Sequence, residues 1–264
     1  MPFSDKIVWI TGASSGIGKA LAIELSNQDA KLILSSRKKD DLELVKNACK
    51  NSANVKIITL DLENYTNLQS TADEAIAAFG KVDILVNNGG ISQRSLVKDT
   101  HISVDKRIMD INYLGTIALT KAILPHFIKN KTGHFVVTTS IVGKIGTPLR
   151  SSYAASKHAL HGFFDSLRTE NHQNNIAVTL ICPGFVYTNV SKNALTGNGT
   201  PQQKMDVATE NGIQPERFAK LMAKAIKQRK EEIYISGVKE KFGVYVKRFF
   251  PKIFSIMIRK MSVT

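Results

Sequence analysis

The chain has 264 residues, 43% of them hydrophobic, and a formal charge of +14. That length allows one large α/β domain or two small ones, with a sizeable core in either case. Its two cysteines exclude a disulfide framework and point to a reducing compartment, and no run reaches the ~18 apolar residues that cross a bilayer.

The opening residues lead almost directly into Lys6-Ile7-Val8-Trp9-Ile10 without a charged-then-apolar leader, so no secretory signal is expected. The positive charge favours anionic partners: nucleotides, phosphorylated or carboxylated substrates, acidic proteins or a membrane surface. Nucleic acid is not expected, since no zinc-finger spacing, RNA-binding aromatic signature or basic-zipper heptad accompanies the charge.

The first strand is read at Ile7–Ile10. It runs into Thr11-Gly12-Ala13-Ser14-Ser15-Gly16-Ile17-Gly18 and then into a helical pattern, Ala20, Leu21, Ile23, Glu24, Leu25. Strand, glycine turn and helix are the context of a dinucleotide site. Gly12 permits the tight turn, while Gly16 and Gly18 let backbone and helix approach a diphosphate and the sheet. The helix N-terminus offers N–H groups and the positive dipole end to that anion. A glycine turn without a ligand is the alternative, and the flanking elements weigh against it.

A second strand, Lys31–Ser35, is followed by Ser36-Arg37-Lys38-Lys39. NAD-binding sheets place an acidic residue here, whereas a basic one accepts a 2′-phosphate. Three cations at a helix N-terminus are disfavoured by the dipole, and an anion in their midst removes the conflict. NADP(H) is therefore expected over NAD(H), with Asp40 and Asp41 starting the next helix, read from Asp41 to Asn51.

A third strand, Val55–Leu60, ends at Asp61-Leu62. Asp61 either faces the ligand crevice or caps the helix that begins near Asn64 and ends at Gly80. The next strand, Val82–Val86, meets Asn87-Asn88-Gly89-Gly90, where paired glycines signal close backbone approach and the asparagines can satisfy exposed backbone groups. Regular alternation of strand and helix predicts a Rossmann-type, doubly wound, mostly parallel sheet of seven strands, with helices on both faces.

A long helix is read from Val104 to Lys129, with Asn112 inside it. A tolerated polar face is the reading of that Asn; a local kink freeing a carbonyl for water is the alternative. A fifth strand, His134–Thr139, ends at Ser140. The following helix carries Tyr153 and Lys157, one helical turn apart, so a phenol and an ammonium share a face. A neighbouring ammonium lowers a phenol's pKa, which makes the pair an acid/base group. The sixth strand, Ile176–Cys182, is expected to stop at Pro183-Gly184, because Pro183 cannot continue the ladder. Residues 185–213 have little periodicity and read as a substrate loop. A helix from Pro215 to about Arg229 and a last strand, Ile233–Ile235, close the domain, read as residues 1–237.

These motifs, in this order, resemble the short-chain dehydrogenase/reductase family over Lys6 to about Gly237. The resemblance rests on Gly12, Gly16 and Gly18, Asp61, Asn87–Gly90, Asn112, Ser140, Tyr153 and Lys157, and Pro183-Gly184 with Thr188. Gly89 departs from it, since the family has Ala there. A finer resemblance, to the group of dehydrogenase/reductase family member 7B, rests on Asp105-Lys106-Arg107, Leu119–Ala122, Ser140-Ile141, Ser152–His158 and Phe163–Asp165. Relatives in that group often carry an N-terminal membrane anchor; none is expected from the opening residues here, so their localisation is not carried over from that feature.

The resemblance implies an oxidoreductase that interconverts a ketone and a secondary alcohol. Tyr153 is implied as general acid or base, Lys157 as the group that lowers its pKa and holds the nicotinamide ribose, Ser140 as a hydrogen-bond partner of the substrate oxygen, and Asn112 as holder of a relay water. Gly12, Ser14, Ser15, Gly16, Ile17 and Gly18 are implied at the diphosphate, Ser36, Arg37 and Lys38 at the 2′-phosphate, and Asp61 and Leu62 at the adenine. Asn87, Asn88, Gly89, Pro183, Gly184, Val186 and Thr188 are implied along the rest of the cofactor, Thr188 at its carboxamide. A homodimer or homotetramer is implied, and no metal.

The tail, 238–264, carries seven cations (Lys239, Lys241, Lys247, Arg248, Lys252, Arg259, Lys260) against Glu240, or +6 of the +14. Phe242, Tyr245, Val246, Phe249 and Phe250 follow amphipathic spacing, Pro251 interrupts, and Phe254, Met257, Ile258 and Met261 resume it. Docking on the protein itself or a partner subunit competes with contact to an anionic membrane. The expected protein is a cytoplasmic reductase of a hydrophobic or lipid-like ketone, in peripheral contact with membranes. Competing readings are a 3-oxoacyl-carrier reductase, which suits the basic surface, and a non-catalytic NADP sensor, which the presence of both Tyr153 and Lys157 argues against.

Overall fold

The structure, a computed structural model, describes residues 3–259. Seven strands form one sheet in the order β3-β2-β1-β4-β5-β6-β7, and every neighbouring pair is parallel. They are β1 (Ile7–Thr11), β2 (Lys31–Ser35), β3 (Val55–Ile57), β4 (Ile84–Asn87), β5 (Gly133–Thr138), β6 (Ile176–Pro183) and β7 (Glu232–Ile235). β1 lies between β2 and β4, with Val8 opposite both Leu32 and Ile84. Its continuous apolar run fits a strand covered on both faces.

The helices form two layers. On one face α1 (Gly16–Asn27), α2 (Lys39–Ala48) and α8 (Pro215–Lys227) pack Leu21, Leu25, Leu42, Phe218 and Met222 against Val8, Ile10, Leu32 and Leu34. On the other, α3 (Leu68–Phe79), α5 (Thr116–Lys129) and α6 (Ser151–Glu170) pack Ala72, Leu119, Phe127 and Phe164 against Trp9, Phe135 and Leu180. The buried indole of Trp9 donates to Ser35 Oγ at 2.9 Å, so this polar atom is not stranded in the core.

Several boundaries differ from those expected. β3 ends at Ile57, yet Ile58 and Leu60 still donate to the β2 side, at Leu34 O and Ser36 O, so the chain continues along the sheet without full pairing. α2 starts earlier and stops at Ala48, where Cys49 turns to an extended conformation. β6 includes Pro183 as its last residue, opposite Ile235, and Gly184 N then donates to Ile235 O at 3.0 Å; proline is tolerated at this terminal position. The long helix is divided into α4 (Ile102–Met109), a π-helical turn (Asp110–Gly115) and α5. Only a short helix, α7 (Val207–Glu210), interrupts the irregular segment after β6.

The tail forms α9 (Val238–Phe249) and α10 (Pro251–Arg259), which break at Phe250-Pro251. Val246 and Phe254 are buried against Ile141 and Ile145, while Phe242, Tyr245, Phe249 and Phe250 are exposed. Within the expected stripe, then, only part of the apolar spacing faces the protein. Met261 lies outside the described residues.

Two glycines with different surroundings test the packing around β1. A Cβ on Gly18 would stand 2.2 Å from the backbone oxygen of Gly12, whereas one on Gly89 would meet the end of the Leu62 side chain at 2.8 Å. Gly18→Ala is expected to cost at least about 1–3 kcal/mol, because backbone must move. Gly89→Ala should cost less than about 1.5 kcal/mol, since Leu62 can rotate. Urea unfolding midpoints check both; equal midpoints would contradict this reading.

Candidate active site

Strand order reverses between β1 and β4, and the crevice opens outside their carboxyl ends. Gly12 (φ +62°) and Gly16 (φ +52°) adopt left-handed backbone that glycine favours, and Gly18 allows α1 to press on the Gly12 carbonyl. α1 starts at Gly16 without an acidic first turn and without a side-chain cap from Ser15. Its N-terminal N–H groups therefore remain oriented toward an anion. Thr188 lies against Gly16, with its Cγ2 3.1 Å from where a Cβ would be.

Asn88 braces this turn. Its Nδ2 donates to Thr11 O (3.1 Å) and Gly12 O (3.3 Å), and its Oδ1 accepts from Thr138 Oγ1 at 3.2 Å. Thr11 Oγ1 accepts in turn from the N–H groups of Asn88 and Gly89. Asn87 donates to Thr120 Oγ1 at 3.1 Å and leaves its buried Oδ1 without a protein partner. Leu62 fills the space that Gly89 leaves open, and its carbonyl abuts Gly115 of the π-helical turn. Asp61 bonds the N–H of Glu63 rather than capping a helix.

Ser36, Arg37 and Lys38 follow β2, on the far side of the crevice from Tyr153, with Arg37 and Lys38 exposed. Asp40 and Asp41 lie in the first turn of α2, where the dipole favours them. A dinucleotide fits these features: a glycine turn that admits close approach, an uncapped helix start and exposed basic residues after β2.

Ser140 ends the β5 segment and Tyr153 and Lys157 project from α6. Lys157 Nζ donates to Thr138 O at 2.8 Å and lies 5.8 Å from the Tyr153 ring centroid. Burial lowers the lysine pKa to about 8. Tyr153 does not follow the expected downward shift. Burial raises its phenol above the ordinary value; a hydrogen bond with Ser140 and the charges of Arg150 and Arg94 only partly oppose this. The lowering expected from Lys157 is thus outweighed by desolvation, and the opposing charges come from two arginines instead.

Asn112 is fully buried, which corrects the expected polar face. Its Oδ1 accepts from Ile91 N (2.8 Å), and its Nδ2 donates to Ile91 O (2.9 Å) and Ser156 Oγ (3.1 Å). Gly90 admits this contact, since a Cβ there would be 2.9 Å from Asn112 Oδ1. π-Helical turns recur at functional sites, and here one sets Asn112 facing the loop after β4.

Four residues that sequence reasoning did not single out complete the site. The fully buried Gln93 receives the N–H groups of Ser152 (2.9 Å) and Tyr153 (3.3 Å) at its Oε1, capping the helix that carries the phenol. Arg94 donates to Asp206 through Nε (2.8 Å) and Nη2 (2.5 Å), and to Ser92 Oγ and Gln93 O through Nη1. Arg150 approaches the same carboxylate at 3.5 Å. Burial pushes the Asp206 carboxyl up, but the bonds from Arg94 and Gln202 and the two guanidinium charges hold it below its usual range. This ion cluster fastens the irregular segment after β6 to the loop after β4. The only sequence signal was an Arg beside the paired glycines; its partner is more than a hundred residues away.

A second polar cluster joins His161, Cys182 and Glu232. Lys144 (2.7 Å) and Tyr234 (2.5 Å) already engage the two oxygens of Glu232, and burial pushes the Cys182 thiol up to about 12. It reads as a buried ion-pair network behind β6 rather than as a cation site.

The profile of the short chain dehydrogenase family matches residues 6–199. Dehydrogenase/reductase SDR family member 7B of Xenopus tropicalis is 40% identical over 260 residues, covering 95% of this chain and 83% of that protein. Family member 7 of Homo sapiens is 40% identical over 254 residues, covering 94% and 75%. Among solved structures, a short chain dehydrogenase/reductase from Burkholderia phymatum in complex with NAD superposes with a TM-score of 0.84 at 23% identity, over 96% of both chains. Levodione reductase superposes with a TM-score of 0.81 at 22% identity, over 90% of this chain and 99% of that one.

The arginine–aspartate cluster yields a stability test. Asp206→Ala leaves two guanidinium groups in a site where the side chains are only 6% and 5% exposed. The expected loss is about 3–5 kcal/mol, with early proteolysis after Lys192 or Lys204. Asp206→Asn should lose less, because its amide oxygen still accepts from Arg94. Unfolding curves and limited trypsin digestion measure both, and an Asp206→Ala variant as stable and resistant as wild type would refute the fastening role.

Proposed function

This chain belongs to the short-chain dehydrogenase family and is similar to its member 7B group; from that premise we propose an NADP(H)-dependent oxidoreductase that interconverts a ketone and a secondary alcohol, reducing a hydrophobic or lipid-like carbonyl. The observation that carries the reading is Tyr153 beside the buried ammonium of Lys157, with Nζ 5.8 Å from the phenol ring centroid and bonded to Thr138 O, at the crevice end of the sheet where Ser140 follows β5. When bound, the nicotinamide supplies or accepts a hydride.

In reduction, Tyr153 donates its proton to the carbonyl oxygen. The raised phenol pKa keeps that proton in place at neutral pH, and Arg94 and Arg150 favour the phenolate left behind. The Ser140 hydroxyl bonds the same oxygen as charge develops there. Lys157 holds the ribose and, with a pKa of about 8, can pass a proton toward Tyr153 near neutral pH. Because the Asn112 side chain is spent on Ile91 and Ser156, a relay water would bond its backbone carbonyl. Asn112 is then a positioning residue.

For the cofactor we assign Gly12, Ser14, Ser15, Gly16, Ile17 and Gly18 to the diphosphate, Ser36, Arg37 and Lys38 to the 2′-phosphate, and Asp61 and Leu62 to the adenine. Asn87, Asn88, Gly89, Pro183, Gly184, Val186 and Thr188 flank the nicotinamide half. Residues 1–237 act as one cofactor-binding domain, with 185–213 as its substrate loop and 238–264 as a separate tail. The two free, buried cysteines suit a cytoplasmic setting, and a homodimer or homotetramer is the proposed assembly. The net charge of +14 keeps a 3-oxoacyl group on an acidic carrier as a second reading; a panel of ketones and 3-oxoacyl esters, followed by NADPH consumption, separates the two.

Tyr153→Phe should bind NADPH as wild type does while turnover falls by about 10²–10⁴-fold. Near-normal turnover would refute the proton-transfer role. Arg37→Asp should weaken NADPH binding by about ten- to a hundredfold and leave NADH nearly unchanged. Fluorescence titration with both nucleotides checks this, and an unchanged preference would overturn the choice of NADP(H).

A further inference from the structure

We propose that α9 and α10 form a docking face for an anionic phospholipid bilayer. Val238, Phe242, Tyr245 and Phe249 recur at helical spacing along one side of α9, and they are 85%, 60%, 57% and 68% exposed. Phe250, Ile253 and Ile256 prolong the exposed apolar surface into α10. These residues are not an unsatisfied core face. The inward side of the pair is already seated, with Val246 and Phe254 buried against Ile141 and Ile145, and Tyr234, Val244, Met257 and Ile258 packed around them. A tail that only covered its own domain would turn its aromatic residues inward. Here they point to solvent, in a cluster that a water-soluble surface rarely carries.

Charge selects the occupant. Lys241 and Arg248 each precede an exposed aromatic residue and border the stripe, Lys239 borders its other side, and Lys252 and Arg259 extend the basic character along α10. The one acid, Glu240, turns away from the stripe toward Gly184 and Gly237, where its carboxylate lies close to the backbone. Phe, Tyr and Ile flanked by Lys and Arg suit the boundary between acyl chains and anionic headgroups. A second copy of the chain is a poorer occupant, because its own Lys241 and Arg248 would be brought against like charges. No helix among the described residues is long and apolar enough to cross a membrane, so the contact lies in the interface plane.

The seat of the tail gives the docking a consequence. Ile141 belongs to the single turn Ile141–Gly143 that directly follows Ser140, and Tyr234 belongs to β7. A bilayer held by α9 and α10 therefore lies against the same end of the sheet as the candidate active site. The docking face itself does not depend on the reaction assigned to Tyr153.

Co-sedimentation of the full chain with phosphatidylcholine vesicles, with and without phosphatidylserine, tests the proposal. Wild type should sediment with the anionic vesicles and bind about tenfold less to neutral ones or at high salt. The exposed-site variants Phe242→Ser/Phe249→Ser and Lys241→Glu/Arg248→Glu should each lose about tenfold or more, with unchanged unfolding midpoints. Wild type that fails to sediment, equal binding to neutral and anionic vesicles, or a Phe242→Ser/Phe249→Ser variant that binds as wild type would overturn it. So would an unbound wild-type dimer that this variant turns into a monomer in light scattering, since the face would then be a contact between copies.

Discussion

The peptide unit of Ile91 is held at both ends by one side chain: its N–H bonds Asn112 Oδ1 and its carbonyl accepts from Asn112 Nδ2. Asn112 is fully buried and the pairing part-buried, so breaking it would strand the amide away from water. The loop that it fixes, from Asn88 to Ser95, reaches every other part of the site. Asn88 braces the glycine turn, Gly90 leaves room beside Lys157, Gln93 caps α6 under Tyr153, and Arg94 holds Asp206. The π-helical turn is what lets Asn112 face that loop while α4 and α5 keep packing on either side. One local irregularity in a helix thus positions groups contributed by four separate elements.

Electrostatics at the site is governed by desolvation. A low-dielectric setting disfavours charge on both Tyr153 and Lys157, raising the phenol's pKa and lowering the ammonium's to about 8, so the proton is held more tightly by Tyr153 than by Lys157. The Arg94–Asp206–Arg150 cluster adds charge nearby, and Arg150, lowered by burial and by Arg94, stays at about 10. Two cations facing one carboxylate give a field that favours negative charge at Tyr153, a task first ascribed to the adjacent lysine alone. The cluster therefore does double duty, as fastening and as field.

What was legible in the sequence is what local physics fixes. The glycine turn between strand and helix, the apolar strands, and the Tyr153–Lys157 spacing each depend on neighbouring residues, and each is present, though β3 ends at Ile57 rather than Leu60. Gln93 capping α6 and Arg94 meeting Asp206 join residues far apart in the chain, so no pattern or period marks them. Asn112 was visible as an oddity in a helix, but only its buried partners distinguish a clamp from a solvated side chain. The tail illustrates a different limit. Helical spacing identifies an apolar stripe but not which way it faces, and here Val246 turns inward while Phe242 and Phe249 turn out.

The segment after β6, irregular though it is, is not loosely attached. Arg94 N donates to Leu195 O (2.8 Å) and Leu195 N to Ser92 O (2.9 Å), and Asp206 adds its ion cluster, so both its middle and its end are tied to the loop after β4. A segment held this way opens only by breaking buried charge pairs, which makes wholesale opening costly. A substrate would more easily enter along its rim. Both connected segments carry exposed large apolar side chains, Leu96 and Val97 on one and Tyr187, Val190 and Val207 on the other. In the proposed reaction these side chains would offer apolar surface to a carbonyl attached to a hydrocarbon body, whose burial is the main gain on entry. The proposed division of work follows: these exposed residues select the substrate, while Tyr153 and the groups that hold it carry the chemistry.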